Sequence, residues 1–535
     1  MATEDTTATG SGFGHVSRTL GTVFRYVLLA ATLAGIVALG VLLAFVTNDA
    51  LRPFTAEPAW LAVFVLAVFA LPVGTAAWLY RVRPGEFRTG LGALGLVFVG
   101  LLYGGGVVIL FVDVIPPVVW LSFVVALAVP AALAVVLERL DRRLSFLVRT
   151  VAVTVVGALS LWQVPGLVQT IPVLPADWLI LLLTVGGPAA LLAAWYARGQ
   201  FEDRRVTLAT GLGSFALVAG AGYAGVATGI GGTAMTVLVS VGVLPGLVYM
   251  GAALYDRGRS GVGLALPVVA VAGILALLAA EQVLGLQGPN AWLTWDFITS
   301  TQASPPAESA GIYAGIVGTI LLMISVALLS FPVGVGAAVY LEEYAPDTRF
   351  TRLVDVNISN LAGVPSVVYG LLGLGAFIRM GGLSPGTVVV GGMTLALLIL
   401  PIVIISAREA IRSVPDTRRR ASYGMGATRW QTVRNVVLPE AFPGILTGTI
   451  LALGRAVGET APLLVIGAPA IFGVPDQLGD RVGAIPLQIY AWASTFGSPA
   501  FYTTVLAAGV LTILVILLTM NSVAIVLRNK YQRDS

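Results

Sequence analysis

The chain has 535 residues, of which 57% are hydrophobic and only 10% are charged. Because soluble globular chains are about 25% charged, so few charges over this length exclude a water-exposed globular surface and indicate a bilayer protein. The absence of cysteine excludes disulfides and thiolate chemistry, and one histidine, His15, leaves almost nothing for zinc or acid–base chemistry. No cofactor or metal is predicted, and the net charge of +4 reflects loop arginines rather than nucleic-acid binding.

Apolar runs of about 20 residues, the length of a membrane helix, recur along the whole chain. The first, near 27–47, is too long for a signal-peptide core and lacks a convincing cleavage site, so it is predicted to remain as a membrane helix. The run at 360–380 is interrupted by Gly363 and Pro365, among others. The fourteen predicted spans are 27–47, 59–80, 91–113, 117–137, 146–164, 177–196, 207–229, 234–255, 262–284, 313–339, 360–380, 386–407, 442–467 and 502–527.

The arginines agree with this count of spans. With fourteen spans every basic loop lies on one side of the membrane, and the opposite loops hold only Arg52, Arg379 and Arg481. Since basic residues mark cytoplasmic loops, we expect a multi-pass protein of the cell membrane with both termini in the cytoplasm. The basic loops contain Arg18/Arg25, Arg81/Arg83/Arg88, Arg139/Arg142/Arg143, Arg204/Arg205, Arg257/Arg259, Arg349/Arg352, Arg408 to Arg434, and Arg528/Lys530/Arg533.

Loop length divides the chain near residue 260. Residues 1–260 are predicted to form an N-terminal membrane domain of about eight spans joined by short loops. Residues 261–535 carry six spans with longer loops, where partners and substrates are usually met. The N-terminal spans hold no deep charge and are rich in small residues, which allow close helix packing. Three roles therefore remain open for the N-terminal half: it could brace the second half, contact another subunit or bind an accessory protein.

Deep charges occur in only one predicted span, 442–467, as Arg455 and Glu459. A charge at the bilayer centre costs at least about 2.5–3.5 kcal/mol and usually marks function. The two residues are four positions apart, so they can pair on one helix face. One interpretation is an ion pair that only locks helix packing. The other is a pathway arginine, oriented by Glu459, whose planar fork donates bidentate hydrogen bonds to a tetrahedral oxyanion.

The predicted cytoplasmic loop 408–441 has an ordered pattern that a purely topogenic basic loop would not need. Its small residues Ala421, Gly424 and Gly426 would let another protein surface approach a short helix closely. Pro439 is expected to stop this element before the next span. The loop is therefore a candidate docking site for a partner.

This loop resembles the coupling motif of ABC importer permeases, which begins with an acidic residue and two alanines and ends with hydrophobic-x-Leu-Pro. Two positions depart from the pattern, because Arg420 replaces the acidic residue and Ser422 replaces the second alanine. Docking of the loop on a partner is still expected despite these departures. The residue of that partner with which position 420 forms an ion pair is expected to differ from the family's. The positions that match are Ala421, Gly426, Val436, Leu438 and Pro439.

A second stretch, Arg455-Ala456-Val457-Gly458-Glu459-Thr460-Ala461-Pro462, resembles the Arg-x-x-Gly-Glu-Thr-Ala-Pro sequence of PstA-type permeases of phosphate importers. The resemblance covers about 262–535, and three further segments agree with it. Those segments are 293–297, 334–345 and 360–370.

The PstA resemblance implies a six-helix type I importer core whose substrate is phosphate. It implies a complex with a PstC-like second permease, a cytoplasmic ATPase dimer and an external phosphate-binding protein, besides membrane lipid. On this basis we place Arg455, Glu459 and Thr460 on the substrate pathway. The expected ATPase-coupling residues are Ala421, Gly424, Gly426, Leu438 and Pro439.

The chain itself is not expected to be an enzyme. A nucleotide-binding P-loop needs Gly-Lys followed by Ser or Thr, and the only lysine, Lys530, follows Asn529. The rival hypotheses are the same architecture carrying molybdate or sulfate, and a membrane scaffold or phosphate-status sensor dominated by the N-terminal half. A secondary transporter is a further rival, which would predict midplane carboxylates in inverted repeats.

Overall fold

The structure is a computed structural model that describes residues 18–109, 111–112, 115–140, 146–169, 177–201, 203–255, 261–302, 306–469, 473–475, 477–494 and 501–534. Helices account for nearly all of these residues, and no β-strand forms within them. Thr387 and Arg481 share one isolated antiparallel bridge. The expectations for His15, Arg142, Arg143, Arg257 and Arg259 lie outside the described residues.

The helices are labelled here in chain order, with short π-helical and 3₁₀ turns included in the helices that they continue, except that the π-helical turn Phe501–Val505 is left out of α19. They are α1 (Arg18–Leu51), α2 (Pro58–Val82), α3 (Pro84–Ile109), α4 (Pro117–Leu140), α5 (Phe146–Gln169), α6 (Asp177–Gln200), α7 (Arg204–Thr228), α8 (Gly232–Tyr255), α9 (Val262–Leu284), α10 (Trp295–Thr299), α11 (Tyr313–Tyr344), α12 (Arg349–Ala362), α13 (Ser366–Met380), α14 (Val388–Arg412), α15 (Asp416–Gly424), α16 (Arg429–Val457), α17 (Ala461–Val465), α18 (Ile485–Ser494) and α19 (Leu506–Asp534).

Within the described residues, twelve helices are long and apolar enough to cross a membrane, or thirteen if one bent pair counts as a single span. This confirms the predicted all-α membrane protein, with slightly fewer spans than the fourteen expected. The predicted span 146–164 lies in α5, whose apolar described part, Ala152–Val168, is shorter than a full span. This helix packs along α4, where the Ser160 hydroxyl donates to the carbonyl oxygen of Ala126 at 2.8 Å.

The predicted span 360–380 differs from the structure in its first residues. They belong to the amphipathic helix α12, which meets α13 at a bend of 104°. Pro365 explains the break, because a proline ring disfavours the helical conformation in the residue before it and supplies no N–H. Only α13 is then apolar enough to enter the membrane, and α12 extends sideways from its end.

The prediction that Pro439 ends the coupling element is wrong. One continuous helix, α16, runs from the loop into the membrane and passes through Pro439. A π-helical turn at Val433–Val437 ends two residues before this proline. Because the regular hydrogen-bond ladder is already interrupted there, the missing N–H of Pro439 adds little further loss. The end of the loop from Arg429 onward and the span that carries Arg455 are thus one continuous helix.

The main buried cluster lies in the second half of the chain and combines α11, α13, α14, α16, α17 and α18. Val326, Leu395 and Ile399 are fully buried at its centre. Glycines bring the helices close, since a Cβ on Gly334 of α11 would overlap Val403 of α14. Close packing of small residues is the main source of helix association in a bilayer.

The two predicted domains are joined by extensive packing. Helix α9, which begins the second half, packs along α2 and α3 of the first half. The helices α9 and α2 touch through Gly273, whose added Cβ would overlap the Ala67 carbonyl oxygen. At the other end of the sequence, α1 packs against the last helix, α19. The boundary near residue 260 is therefore a boundary of sequence pattern, with continuous helix packing across it.

The contact at Gly273 predicts opposite effects for two glycine substitutions. Gly273→Ala should lower the free energy of unfolding by about 1–3 kcal/mol, the usual cost of overpacking. Gly74→Ala in α2, where nothing lies within 4 Å of the new Cβ, should raise it by up to about 1 kcal/mol through helix propensity. Thermal unfolding of the purified protein in detergent measures both. Equal shifts in the two variants would contradict the observed packing.

Candidate translocation and coupling sites

Arg455 and Glu459 are paired in the structure. The Nε atom of Arg455 lies 3.4 Å from Oε1 of Glu459. The Arg455 side chain is 49% exposed, whereas that of Glu459 is 17% exposed. The carboxylate is therefore held against the protein, and the guanidinium extends from it to the surface of the isolated chain with free donor positions.

The pair straddles the end of a helix inside the packed region. Helix α16 ends at Val457, and α17 begins only at Ala461. Pro462 supplies the reason, because its ring and missing N–H prevent α16 from continuing through the preceding turn. Ala456 and Leu463, on the two sides of the break, both belong to the main buried cluster. The backbone is thus irregular within the core, as bilayer proteins permit only where protein or a water-filled cavity surrounds it.

Thr460 lies beside Glu459 at the start of α17. Its side chain makes no capping hydrogen bond to that short helix, and it is partly exposed. Its carbonyl oxygen accepts a hydrogen bond from the Leu464 N–H at 3.0 Å. The Thr460 hydroxyl therefore does not cap α17.

Exposed apolar side chains flank Arg455 along the chain, and the Tyr369 side chain interacts with it electrostatically. Leu451 lies one turn earlier on α16 and Leu464 lies beyond the break, and both side chains are exposed in the isolated chain. A guanidinium on such a face cannot rest in hydrocarbon without a large cost in free energy. This face of α16 therefore requires a polar cavity or another protein surface over it.

The loop 408–441 places three of its predicted coupling residues together. Ala421 and Gly424 lie on α15, Gly426 lies in the turn after it, and all three are exposed. Large apolar side chains surround them, with Met425 82% exposed and Tyr423 and Trp430 also exposed. We call Tyr423, Met425 and Trp430 with these three small residues the loop tip. It is an apolar surface on an otherwise basic element.

Gly426 has a conformational role in the chain itself. Its φ angle is +83°, a region that residues with a side chain rarely adopt. The turn that it forms leads to Thr428, which begins α16 with a capping box to Gln431. Gly424 has no such constraint, and nothing lies within 4 Å of a Cβ added there.

The other two predicted coupling residues lie away from the loop tip. Leu438 is partly buried and packs on a cluster that contains Ala338, Ile411 and Val437. Pro439 follows it on α16 and is exposed. These two residues shape the base of the loop, so the five predicted residues do not form one surface.

Arg419 ties α15 to the membrane helices. Its guanidinium pairs with Glu343 at the end of α11 at 3.1 Å, and the two side chains are 14% and 6% exposed. It also donates to the carbonyl oxygens of Ile411, at 2.8 Å, and Val414. Neighbouring Arg420 is exposed and has no ion pair within the part of the chain that the structure describes. Because Arg419 is largely buried and has several acceptors, it holds α15 in place against α11 and α14. We call this set of contacts the Arg419 joint.

Further ion pairs surround this joint. Arg408 lies 2.6 Å from Asp355 of α12 and 3.5 Å from Glu342 of α11. Arg412 reaches Glu342 at 3.1 Å. Each pair links two different helices at the end of the molecule that carries the loop tip. One more pair joins Arg418 to Glu440 at 2.8 Å.

The acidic members of this network were not predicted as site residues. Glu342 and Glu343 entered the sequence analysis only within a matching segment, and Asp355 did not enter it at all. The signal was available, because these acids lie on the same predicted side of the membrane as the densest arginine cluster. Among the described residues, no group of three or more His, Asp or Glu is arranged to hold a metal ion.

Arg419 and Arg420 form a matched pair of sites for substitution. Arg419→Ala should lower the free energy of unfolding by about 3–5 kcal/mol, because it leaves Glu343 buried without a partner. Arg420→Ala should change it by less than about 0.5 kcal/mol, as expected for an exposed residue without an ion pair. Thermal unfolding in detergent distinguishes the two variants. Similar midpoints would show that the Arg419 joint does not hold the loop.

Comparison with known proteins places the second half of the chain in a family. Residues 330–530 match the family described as "Binding-protein-dependent transport system inner membrane component". The phosphate transport system permease protein PstA 1 of Mycobacterium tuberculosis H37Rv is 34% identical over 224 residues, which are 42% of this chain and 71% of the relative. Phosphate transport system permease protein PstC 2 of the same strain is 32% identical over 310 residues, covering 52% of this chain and 93% of the relative.

A solved structure, the MetNI methionine ABC transporter in an inward-facing conformation, is 19% identical and covers 41% of this chain and 94% of its own, with a TM-score of 0.31. Likeness at that level carries no conclusion about this chain. The sequence relatives are sufficient, because they are more than 30% identical and over two thirds of their length is matched. They confirm the resemblance drawn from the Arg-x-x-Gly-Glu-Thr-Ala-Pro stretch: the chain is a multi-pass membrane protein of the ABC importer permease family, a PstA-type permease and not itself an enzyme.

Proposed function

We propose that this permease forms one half of the translocation pathway of an ATP-driven importer for inorganic phosphate. A PstC-like permease supplies the other half, a cytoplasmic ATPase dimer supplies the energy, and an external phosphate-binding protein delivers the ion. The names of the relatives support phosphate as the substrate. This chain lies in the cell membrane with both of its termini in the cytoplasm, as the arginine distribution predicts.

The observation that carries this proposal is the half-exposed Arg455 on an apolar face of α16. An arginine held only for packing would be expected to use its donors within the protein. Here the guanidinium contacts Glu459 at 3.4 Å and is half exposed. Since lipid cannot cover it, the second permease must enclose this face and leave a polar passage beside it.

The chemistry of the pair suits passage of an oxyanion. The guanidinium offers parallel N–H donors to two oxygens of a tetrahedral anion. Glu459 lies close enough to compete with the anion for those donors. Its negative charge thereby limits how tightly the ion is held, which allows release to the cytoplasm.

Coupling to ATP hydrolysis follows from the loop tip and its anchors. The exposed apolar side chains of Tyr423, Met425 and Trp430 suit a cleft on the ATPase. The Arg419–Glu343 joint fixes α15 to α11, and α16 continues directly from the loop to Arg455. Movement of the ATPase against the loop tip is therefore transmitted to the pathway through one helix.

Arg455→Gln tests the pathway. It should reduce phosphate uptake at least about tenfold, because a charge-assisted hydrogen bond to the ion is lost. The measurement is radiolabelled phosphate uptake into vesicles that contain this chain and its three partners, with ATP on the ATPase side. Arg198→Gln, at an exposed arginine near the end of α6, is the matched control and should transport as the wild type does.

The same assay separates the rival hypotheses. Equal uptake by wild type and Arg455→Gln would make the ion pair structural. Uptake of sulfate or molybdate in place of phosphate would keep the importer and change the substrate. Uptake that an ion gradient drives without ATP would indicate a secondary transporter, and no uptake of any anion would favour a scaffold or sensor.

Gly424→Leu tests the docking surface. The new side chain projects from α15 into open space, so it should leave the fold intact and block the approach of the ATPase. Co-purification of the ATPase with the permease should fall about tenfold or more, the usual loss when a packed interface is disrupted. Gly426 is unsuitable, because any side chain strains its own turn.

Gly479→Leu is the control for that experiment. Gly479 is also exposed with nothing within 4 Å, and it lies in a loop at the opposite end of the molecule. It should retain the ATPase fully. Normal retention by Gly424→Leu as well would show that the ATPase binds elsewhere.

A further inference from the structure

Besides the packing of α9 on α2 and α3 and of α1 on α19, the N-terminal half contacts the permease half through two hydrogen-bonded chain segments. Segment 50–60, from the end of α1 to the start of α2, lies against segment 281–293, which comprises the last turn of α9 and the residues after it. We call this contact the brace. It lies at the end of the molecule opposite the loop tip, because α11 runs from this end to Glu343.

The backbones of the two segments are hydrogen-bonded to each other. The carbonyl oxygen of Ala50 accepts from the N–H groups of Trp292, at 2.8 Å, and Leu293, at 3.3 Å. The Glu57 N–H donates to the carbonyl oxygen of Gln287 at 3.1 Å, and the Glu57 carboxylate accepts from the Gln287 N–H at 3.2 Å. Such directional bonds fix the register of one segment on the other.

Side chains strengthen the same contact. The indole Nε1 of Trp60 donates to Oε1 of Glu281 at 2.7 Å, and Trp60 is buried. The Asn290 N–H donates to the Thr55 hydroxyl at 2.9 Å. The Arg52 guanidinium lies 5.5 Å from the centre of the Trp292 ring, a cation–π distance.

Arg52 also has a backbone conformation that stands out. Its φ of +43° is the only positive value at a non-glycine residue among the described residues. A non-glycine residue in the left-handed region costs free energy and persists only where its surroundings hold it there. The brace supplies those surroundings through the Trp292 ring and the adjacent backbone bonds.

The brace continues into the permease core. Trp292 and Leu293 pack on a buried cluster that contains Phe297, Ile485 and Trp492. Two of these residues belong to α18. The first turn of α18 is held to α11, since the Ile485 N–H donates to the Thr319 hydroxyl at 3.0 Å.

Helix α18 in turn reaches the pathway. Leu487 of α18 shares the main buried cluster with Ala456, the neighbour of Arg455. Contacts therefore run from segment 50–60 through segment 281–293 and α18 to the helix that carries Arg455. Helices can associate in lipid by close packing alone, without hydrogen bonds such as those of the brace. The hydrogen bonds of the brace therefore indicate a role beyond helix association.

We infer that segment 50–60 of the N-terminal half is a positioning element of the permease, which holds segment 281–293 and thereby sets the position of α18 beside the pathway. Trp60 and Glu281 are its central positioning residues. The effect on transport rests on the proposed importer function. The effect on the position of α18 does not depend on it.

A cysteine probe on α18 tests the inference. The chain has no cysteine, so Tyr490→Cys, at a half-exposed site on α18, introduces a single reactive thiol. In the assembled complex, Trp60→Phe or Glu281→Leu should change its rate of modification by a soluble maleimide about threefold or more, the effect of losing one buried hydrogen bond. Glu281→Gln retains an oxygen that can accept the hydrogen bond from Trp60, so this variant should be labelled at the wild-type rate.

Trp120→Phe is the matched control. It removes an indole bond of the same kind, from Nε1 to the Thr184 hydroxyl at 3.0 Å, but one that lies entirely within the N-terminal half. It should leave the labelling rate at Tyr490→Cys unchanged. An unchanged rate in Trp60→Phe and Glu281→Leu would overturn the inference, as would an equal change in Trp120→Phe.

Uptake measurements on the same variants, without the cysteine, give the transport consequence. The concentration of external binding protein for half-maximal uptake should rise about threefold or more in Trp60→Phe, with basal ATP hydrolysis unchanged. Altered labelling with wild-type uptake would overturn the transport part. If the wild type takes up no phosphate, the proposed function fails, and the labelling result still decides whether the brace positions α18.

Discussion

The structure depends on one constraint, which is that a charge in the bilayer must be paired or kept away from lipid. Arg455 meets only half of that requirement, because Glu459 pairs with it and leaves its guanidinium half exposed beside Leu451 and Leu464. The free energy of burying this charge makes the isolated chain incomplete. In the proposed importer, a second subunit and a polar passage satisfy it, and the break in α16 at Gly458 places Glu459 beside the core while Arg455 stays half exposed.

The same constraint explains the ion pairs at the end of the molecule that carries the loop tip. Arginines that leave the membrane need partners or water, and here several pair with acids from other helices. Glu342 and Glu343 of α11 and Asp355 of α12 hold Arg408, Arg412 and Arg419. Single exposed ion pairs contribute little to stability, but Arg419 is buried and also binds two carbonyl oxygens. The network makes the loop a rigid extension of the membrane helices, which is the property that force transmission requires.

The extra N-terminal helices gain a role in this arrangement. They carry no deep charge of their own, and they pack on α9 and α19 at the two edges of the permease. Their contact at segment 50–60 acts on the end where the ion would enter, while the ATPase would act on the other end. In the proposed importer the permease would be held from two sides, with the helix that carries Arg455 between them.

The sequence alone determined the membrane class, most of the spans, the family and the pairing of Arg455 with Glu459, because each depends on local composition, charge or a contiguous motif. It did not predict the bend at Pro365 or the continuity of α16 through Pro439, since a proline is compatible with a break, a cap or a π turn and neighbouring helices decide among them. It also missed the partners of Arg419 and the bond from Trp60 to Glu281, which lies 221 positions away in the chain. Only the tertiary structure could decide these, because contact between residues distant in sequence is set by the packing of whole helices.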